Sequence, residues 1–146
     1  GYNFTDSNVD RTIAFVERPF HNTGLYNIGG TGDFPADNQG LFEATGDPSD
    51  MGKFRAPTLR NVELTAPYTH DGSIATLEQV VDFYAAGGRN VERGPYMGDG
   101  RLNPFKDSFV NGFSINDQQK ADLIEFLKSL TDNEFVTSAR FSDPWN

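Results

Sequence analysis

Glycine and proline set the first limit on this fold. The chain carries 15 glycines and 8 prolines, most of them in its first two thirds, where such spacing interrupts regular elements and demands long ordered loops. Residues 22–39 are rich in Gly, Asn, Asp and Pro and read as loop, and residues 43–53 continue that irregular stretch around a turn at Asp47-Pro48. Residues 9–16 are expected to form a short helix. No internal repeat or low-complexity tract is present. No stretch alternates with period two over the length of a strand, so the expected fold is mainly α with long ordered loops.

Two helices are legible. Thr76-Leu77-Glu78-Gln79 is a capping box, in which the threonine hydroxyl and the glutamine side chain satisfy the first amides of a helix. Leu77, Val80, Val81 and Tyr84 follow at i, i+3, i+4 and i+7, one face of that helix, and Gly87-Gly88 supplies a left-handed stop. The spacing predicts a helix over residues 76–86 with Tyr84 on its buried face. A second helix is expected from Ser114, with Asp117 favouring its positive end and an apolar stripe of Leu123, Ile124, Leu127 and Leu130. Thr131-Asp132 ends it and caps a short turn through Phe135. The tail, residues 140–146, carries Phe141, Pro144 and Trp145 and is expected to pack as an irregular strap.

Composition narrows the chemistry. A formal charge of -9 disfavours nucleic acid, whose phosphates need a basic face; it suits a basic protein partner or, more simply, a solvated surface. With no cysteine in the chain, a disulfide, a thiolate nucleophile, a zinc-thiolate site and a Cys-x-x-Cys-His haem attachment are all excluded within these residues. Only His21 and His70 offer imidazoles. No apolar run approaches the ~20 residues of a membrane-spanning helix. The first residues lack the basic start and apolar stretch of a secretion signal, so any targeting segment is expected to lie outside the chain.

The informative segment is Phe54-Arg55-Ala56-Pro57-Thr58-Leu59-Arg60-Asn61, followed by Leu64-Thr65-Ala66-Pro67-Tyr68-Thr69-His70-Asp71-Gly72. By itself it reads as an extended stretch, a turn at Asp71-Gly72 and the capped helix that follows. Arg55, Arg60 and His70 suit an anion site, although surface arginines and a satisfied loop histidine are the commoner explanation of such a set. The string resembles the signature of the second haem domain of the MauG and bacterial di-haem cytochrome c peroxidase family. The flanks are similar too: Pro19-Phe20-His21-Asn22-Thr23-Gly24-Leu25 before it and Leu127-Lys128-Ser129-Leu130-Thr131 after it. The Phe-Ser-Asp-Pro ending points to the MauG-like, MbnH-type group.

That resemblance implies a cytochrome c-like domain. It makes residues 1–146 the C-terminal haem-domain portion of a two-domain di-haem protein, with both haem-attachment motifs, both proximal histidines and the tryptophan that links the haems upstream. In the peroxidases a methionine fourteen residues after the signature histidine is the distal ligand of the high-potential haem, and in MauG-like members a tyrosine takes its place. The count from His70 reaches Tyr84, so the resemblance makes Tyr84 an iron ligand. A hard phenolate favours ferric and higher states, whereas a thioether favours ferrous iron; without the family, Tyr84 is a core aromatic at helical spacing. Thr65 and Pro67 match positions whose backbone carbonyls bind calcium, a cation satisfied by neutral oxygens. His70 falls near a haem propionate, and Arg55 and Arg60 suit the same task or a plain surface. Lys53 is expected in solvent, Met51 and Met97 as packing residues, and His21 has no assigned role.

The function implied is a periplasmic haem c and calcium oxidoreductase, active only as the intact protein. In it, peroxide brings coupled haems to a high-valent state that oxidises an aromatic side chain of a partner protein. The remaining readings are a peroxidase that reduces hydrogen peroxide with electrons from a small cytochrome, and a haem-free scaffold or binding domain. Expected partners are the N-terminal haem portion and a redox or substrate protein, with no nucleic acid and no membrane span. No catalytic residue is assigned within the chain.

Overall fold

A computed structural model describes residues 20–141, and the expected helix at residues 9–16 lies outside them, as do Pro144 and Trp145. The described residues fall in two compact units: residues 20–56 with 82–114, and residues 57–81 with 115–141. They contain four α-helices, namely α1 (Phe42–Thr45), α2 (Leu77–Ala85), α3 (Asp117–Ser129) and α4 (Asn133–Thr137). Four strands accompany them: β1 (Phe20–His21), β2 (Phe54–Arg55), β3 (Asn90–Val91) and β4 (Gly98–Asp99), none longer than two residues. The expected fold class therefore holds in its coarse form, with helices, scant strand and much ordered loop.

In the first unit β1 pairs antiparallel with β2, Phe20 opposite Arg55 and His21 opposite Phe54. A second antiparallel pair joins β3 and β4, Asn90 opposite Asp99 and Val91 opposite Gly98. Leu25, Phe34, Leu41, Met51, Phe83 and Val110 are buried. Among them sit Asn22, Asn27, Asp50 and Asn103, none more than 5% exposed. They are there because buried loops leave backbone groups without helix or sheet partners, and each such group must find one. Asparagine offers both a donor and an acceptor. Asn22 donates to the Met51 carbonyl and accepts from the Gly24 amide, each at 2.9 Å. Asn27 donates to the Asp99 carbonyl and accepts from the Gly32 amide, each at 2.8 Å. Asn103 donates to the Tyr26 carbonyl at 2.7 Å and accepts from the Phe105 amide at 2.8 Å.

Residues 43–53, expected to be irregular, are more ordered than their composition suggested. Helix α1 closes on Gly46, whose left-handed backbone lets its amide reach the Phe42 carbonyl. Asp47 then caps a 3-10 turn, Pro48–Asp50, by accepting from the Ser49 amide. The buried Asp50 carboxylate takes the Thr45 hydroxyl at 2.9 Å and the Lys53 ammonium at 3.2 Å. Lys53 is accordingly not in open solvent: a carboxylate without exposed surface needs a cation beside it.

The second unit is organised around α3. Its cap is Asn116, not Ser114, because Asn116 and Gln119 form the reciprocal capping box and Asn116 is already extended. Ile124 is the buried centre of the expected stripe. Asn61, in the left-handed region at φ 59°, ties the signature segment to the end of this helix. Its amide donates to the Leu130 carbonyl at 3.1 Å, and its side-chain oxygen accepts from the Asp132 amide at 2.6 Å. Asp132 in turn caps α4 by accepting from the Phe135 amide, as the sequence suggested.

Helix α2 runs through the division between the units. Thr76 accepts from the Gln79 amide at 3.3 Å, and Gln79 reaches back to the Ala75 amide at 3.0 Å. The expected capping box is thus present with the glutamine one residue further back. At the other end Gly87 donates to the Tyr84 carbonyl and Gly88 to the Phe83 carbonyl, the paired bonds of a left-handed glycine stop. Gly87 has φ 76°, and a Cβ there would meet the Gly112 nitrogen at 2.9 Å.

Candidate functional site

The six candidate residues divide between the units: Arg55 and Tyr84 belong to the first, and Arg60, Thr65, Pro67 and His70 to the second.

Tyr84 lies in the last turn of α2. About 100° per residue brings it, seven residues on, to within about 20° of Leu77 on the helix face. Leu77 and Val81 on that face are 7% and 3% exposed, yet Tyr84 is 38% exposed. The expectation that Tyr84 is buried is therefore corrected. Phe83 is the buried aromatic at 7%, and the apolar face of α2 emerges at its C-terminal end. The Tyr84 ring packs edge to face on Phe83 at 5.1 Å. Packing still desolvates the phenol enough to push its pKa above the ordinary tyrosine value. Its hydroxyl has no hydrogen-bond partner among the described residues. A phenol oxygen that is reachable and without a hydrogen-bond partner among the described residues suits an iron ligand.

Arg55 is exposed on β2, and Arg60 is exposed with its amide donating to Thr58 Oγ1 at 3.2 Å. Neither makes an ion pair among the described residues. Both suit a carboxylate such as a propionate, which takes charge-assisted bonds from guanidinium.

The signature turn is built locally. Tyr68 and Ile74 exchange backbone hydrogen bonds at 2.6 and 3.3 Å, closing a loop in which Asp71 accepts from the Thr69 hydroxyl and the Ser73 amide. The Thr69 hydroxyl also donates to the Tyr68 carbonyl. Gly72 takes the left-handed conformation at φ 65°, as the expected Asp71-Gly72 turn requires. His70 is exposed on this turn. The Tyr68 hydroxyl donates to the Val62 carbonyl at 3.0 Å, and burial, then the charges of Glu63 and Glu78, raises its pKa.

Thr65 and Pro67 are exposed on either side of a cis Ala66-Pro67 bond. The Thr65 amide and hydroxyl both donate to the Val62 carbonyl. Among the described residues neither the Thr65 nor the Pro67 carbonyl accepts a backbone amide, so both oxygens suit a hard cation. No group of three His, Cys, Asp or Glu able to hold a metal occurs among the described residues; a calcium ion here would rest on carbonyls and on ligands from elsewhere.

Met51 is buried packing, as expected, but Met97 is 57% exposed. It belongs to a surface turn in which its amide donates to Gly94 and its carbonyl accepts from Gly29, and this holds the backbone while releasing the side chain. His21, without a role in the sequence, is bound through Nδ1 to the Asp107 carboxylate at 2.9 Å. That contact links residues 86 positions apart, beyond the reach of local pattern. A second feature missed from sequence is a cleft of about 300 Å³ lined by residues including Tyr26, Arg89, Arg93 and Tyr96. The close spacing of Arg89 and Arg93 after the Gly87-Gly88 stop was its only legible trace.

Among known proteins, the chain is 36% identical over 97 residues to the cytochrome-c peroxidase IdrP1 of Denitromonas iodatirespirans, covering 66% of this chain and 23% of that protein. It is 30% identical over 139 residues to the methylamine utilization protein MauG of Paracoccus denitrificans, covering 84% of this chain and 36% of MauG. A crystal structure of a MauG-like protein associated with microbial copper homeostasis superimposes with a TM-score of 0.85 at 59% identity, covering 88% of this chain and 37% of that one. No family model matches the chain. The chain thus spans well under half the length of each of these relatives.

Proposed function

The chain belongs to the family of MauG and the bacterial cytochrome c peroxidases, and from that premise we propose that it supplies the second haem pocket of a periplasmic di-haem oxidoreductase that uses peroxide to oxidise a partner protein. Haem c, when bound, supplies the redox chemistry, with its attachment cysteines outside these residues. Hydrogen peroxide takes up two electrons and two protons to give two waters, and the partner protein supplies both.

The observation that carries this reading is Tyr84, exposed and without a hydrogen-bond partner among the described residues at the end of α2, the position for which the resemblance implies a ligand. Tyr84 would hold iron through its phenolate oxygen. The free side chain is a neutral phenol, as tyrosine is at neutral pH, and would give up its proton on binding iron. Phe83 packs against the phenol ring, and the Gly87-Gly88 stop ends the helix just beyond it. Arg55 in the first unit, and Arg60 and His70 in the second, each suit a haem carboxylate, and the Thr65 and Pro67 carbonyls would contribute to a calcium site.

Several relatives carry the name cytochrome-c peroxidase, which favours, as a second reading, peroxide reduction fed by a small cytochrome. Tyrosine in place of the methionine thioether argues for the first reading. Among the described residues no helix is long and apolar enough to cross a membrane. Mass spectrometry of the natural intact polypeptide tests the shared premise. Two covalently attached haems are expected, and a haem-free polypeptide would support the scaffold reading instead.

A further inference from the structure

We infer that the cleft between Tyr26 and the hairpin of residues 90–99 is a binding site for a small aromatic carboxylate. The inference does not depend on the haem-centred reading, because the cleft is built within one unit and uses none of the residues assigned above.

The cleft is built from a short framework of backbone bonds. Strand β3 supplies Asn90 and Val91 to the lining and is held by its pairing with β4. The turn between them closes with the Met97 amide on the Gly94 carbonyl at 3.2 Å, and the Met97 carbonyl accepts from Gly29 at 3.2 Å. At the base, Arg89 donates through its amide to the Gly24 carbonyl at 2.9 Å and accepts from the Gly100 amide at 2.7 Å. The walls are therefore positioned before any ligand arrives, which lowers the ordering cost of binding.

The lining selects the ligand's chemistry. Tyr26, only 8% exposed, meets Tyr96, 42% exposed, edge to face at 5.8 Å. The two rings give the cleft an apolar wall against which an aromatic ring can pack. The Arg89 guanidinium stacks 4.5 Å from the Tyr26 ring centroid, and its Nε donates to the Leu25 carbonyl at 3.2 Å, so its orientation is fixed. Arg93 and Asn90 add a second cation and an amide, and no carboxylate is among the described residues that line the cleft. Arg93 makes no ion pair among the described residues.

In a chain of net charge -9, Arg93 brings positive charge to a concavity whose described lining residues include no acid, which favours an anion there. Guanidinium recognises carboxylate through paired hydrogen bonds. A volume of about 300 Å³ is at the small end of ligand pockets, which suits one ring bearing one carboxylate rather than a peptide segment.

Isothermal titration of the intact protein with phenylacetate tests the site, with neutral phenylacetamide and ring-free acetate as comparators. Phenylacetate is expected to bind with a dissociation constant of about 1 mM, and both comparators much more weakly. Arg93→Gln should weaken phenylacetate about tenfold and Tyr96→Ala by a similar factor, while Lys120→Gln on α3 leaves it unchanged; circular dichroism confirms that each variant is folded. The inference is overturned if phenylacetate does not bind, if phenylacetamide or acetate binds equally well, or if folded Arg93→Gln binds phenylacetate as the parent does.

Discussion

The rings of Phe83 and Tyr84 meet edge to face with centroids 5.1 Å apart, and they divide the end of α2 between core and surface. Phe83 is 7% exposed and Tyr84 38%. Consecutive helical residues diverge by about 100°, so one aromatic can anchor the last turn while its neighbour stays available to a cofactor. The anchored ring gives the available one a rigid base, which the proposed role of Tyr84 as an iron ligand would need.

The buried asparagines carry the loop architecture. Asn22→Ala removes a donor to the Met51 carbonyl and an acceptor for the Gly24 amide, leaving both groups buried without partners. A loss of about 2–4 kcal/mol is expected, read as a lower urea midpoint with unchanged slope. A change within about 0.5 kcal/mol would show that water replaces the side chain at no cost.

Asp99 and Arg101 give a pH dependence. Two side-chain hydrogen bonds from Arg101, at 2.7 and 2.6 Å, are the main reason the Asp99 carboxyl is held below the usual aspartate range. A carboxylate with a depressed folded pKa contributes stability above its unfolded value, about 3.9, and loses it as pH falls through the folded value. Denaturant midpoints of the parent and Asp99→Asn should therefore differ near neutral pH and converge below about pH 4. Because both side chains are partly exposed, added salt should shrink the difference. A gap that persists at low pH would place the effect elsewhere than in the ion pair.

Calcium is tested through Thr65 and Pro67. Chelation of the intact protein should lower its unfolding temperature, and added calcium should restore it. The stabilisation lost would be on the order of 3 kcal/mol if calcium is present at about a hundred times its dissociation constant. An unfolding temperature indifferent to chelator would leave the two carbonyls as ordinary loop oxygens.

The sequence was most informative where a local rule decides the outcome. Thr76 with Gln79, Gly87-Gly88, Asp132 beneath α4 and the Asp71-Gly72 turn were all legible, since each acts within a few residues. Distant pairing was not. His21 with Asp107, and Asn27 with Asp99, depend on loops meeting across the unit, and no periodicity announces them. Ser114 was a reasonable cap, but Asn116 and Gln119 satisfy two amides reciprocally and outcompete it. Helical spacing reports which side of α2 is apolar and not what covers it, so Tyr84 lies on the apolar face and is nevertheless exposed.

The most direct test of the account is a redox titration with optical spectra of the intact di-haem protein and its Tyr84→Met variant. The side chain is partly exposed, and methionine adapts readily to an irregular apolar site, so the fold should survive the exchange. Replacing a hard anionic oxygen with a thioether removes the preference for ferric iron. The potential of that haem should rise by on the order of a hundred millivolts, within the ~0.8 V over which axial ligands act, and the ferric spectrum should change with it. An unchanged potential together with an unchanged spectrum would contradict the account, and would make Tyr84 a surface aromatic rather than a ligand.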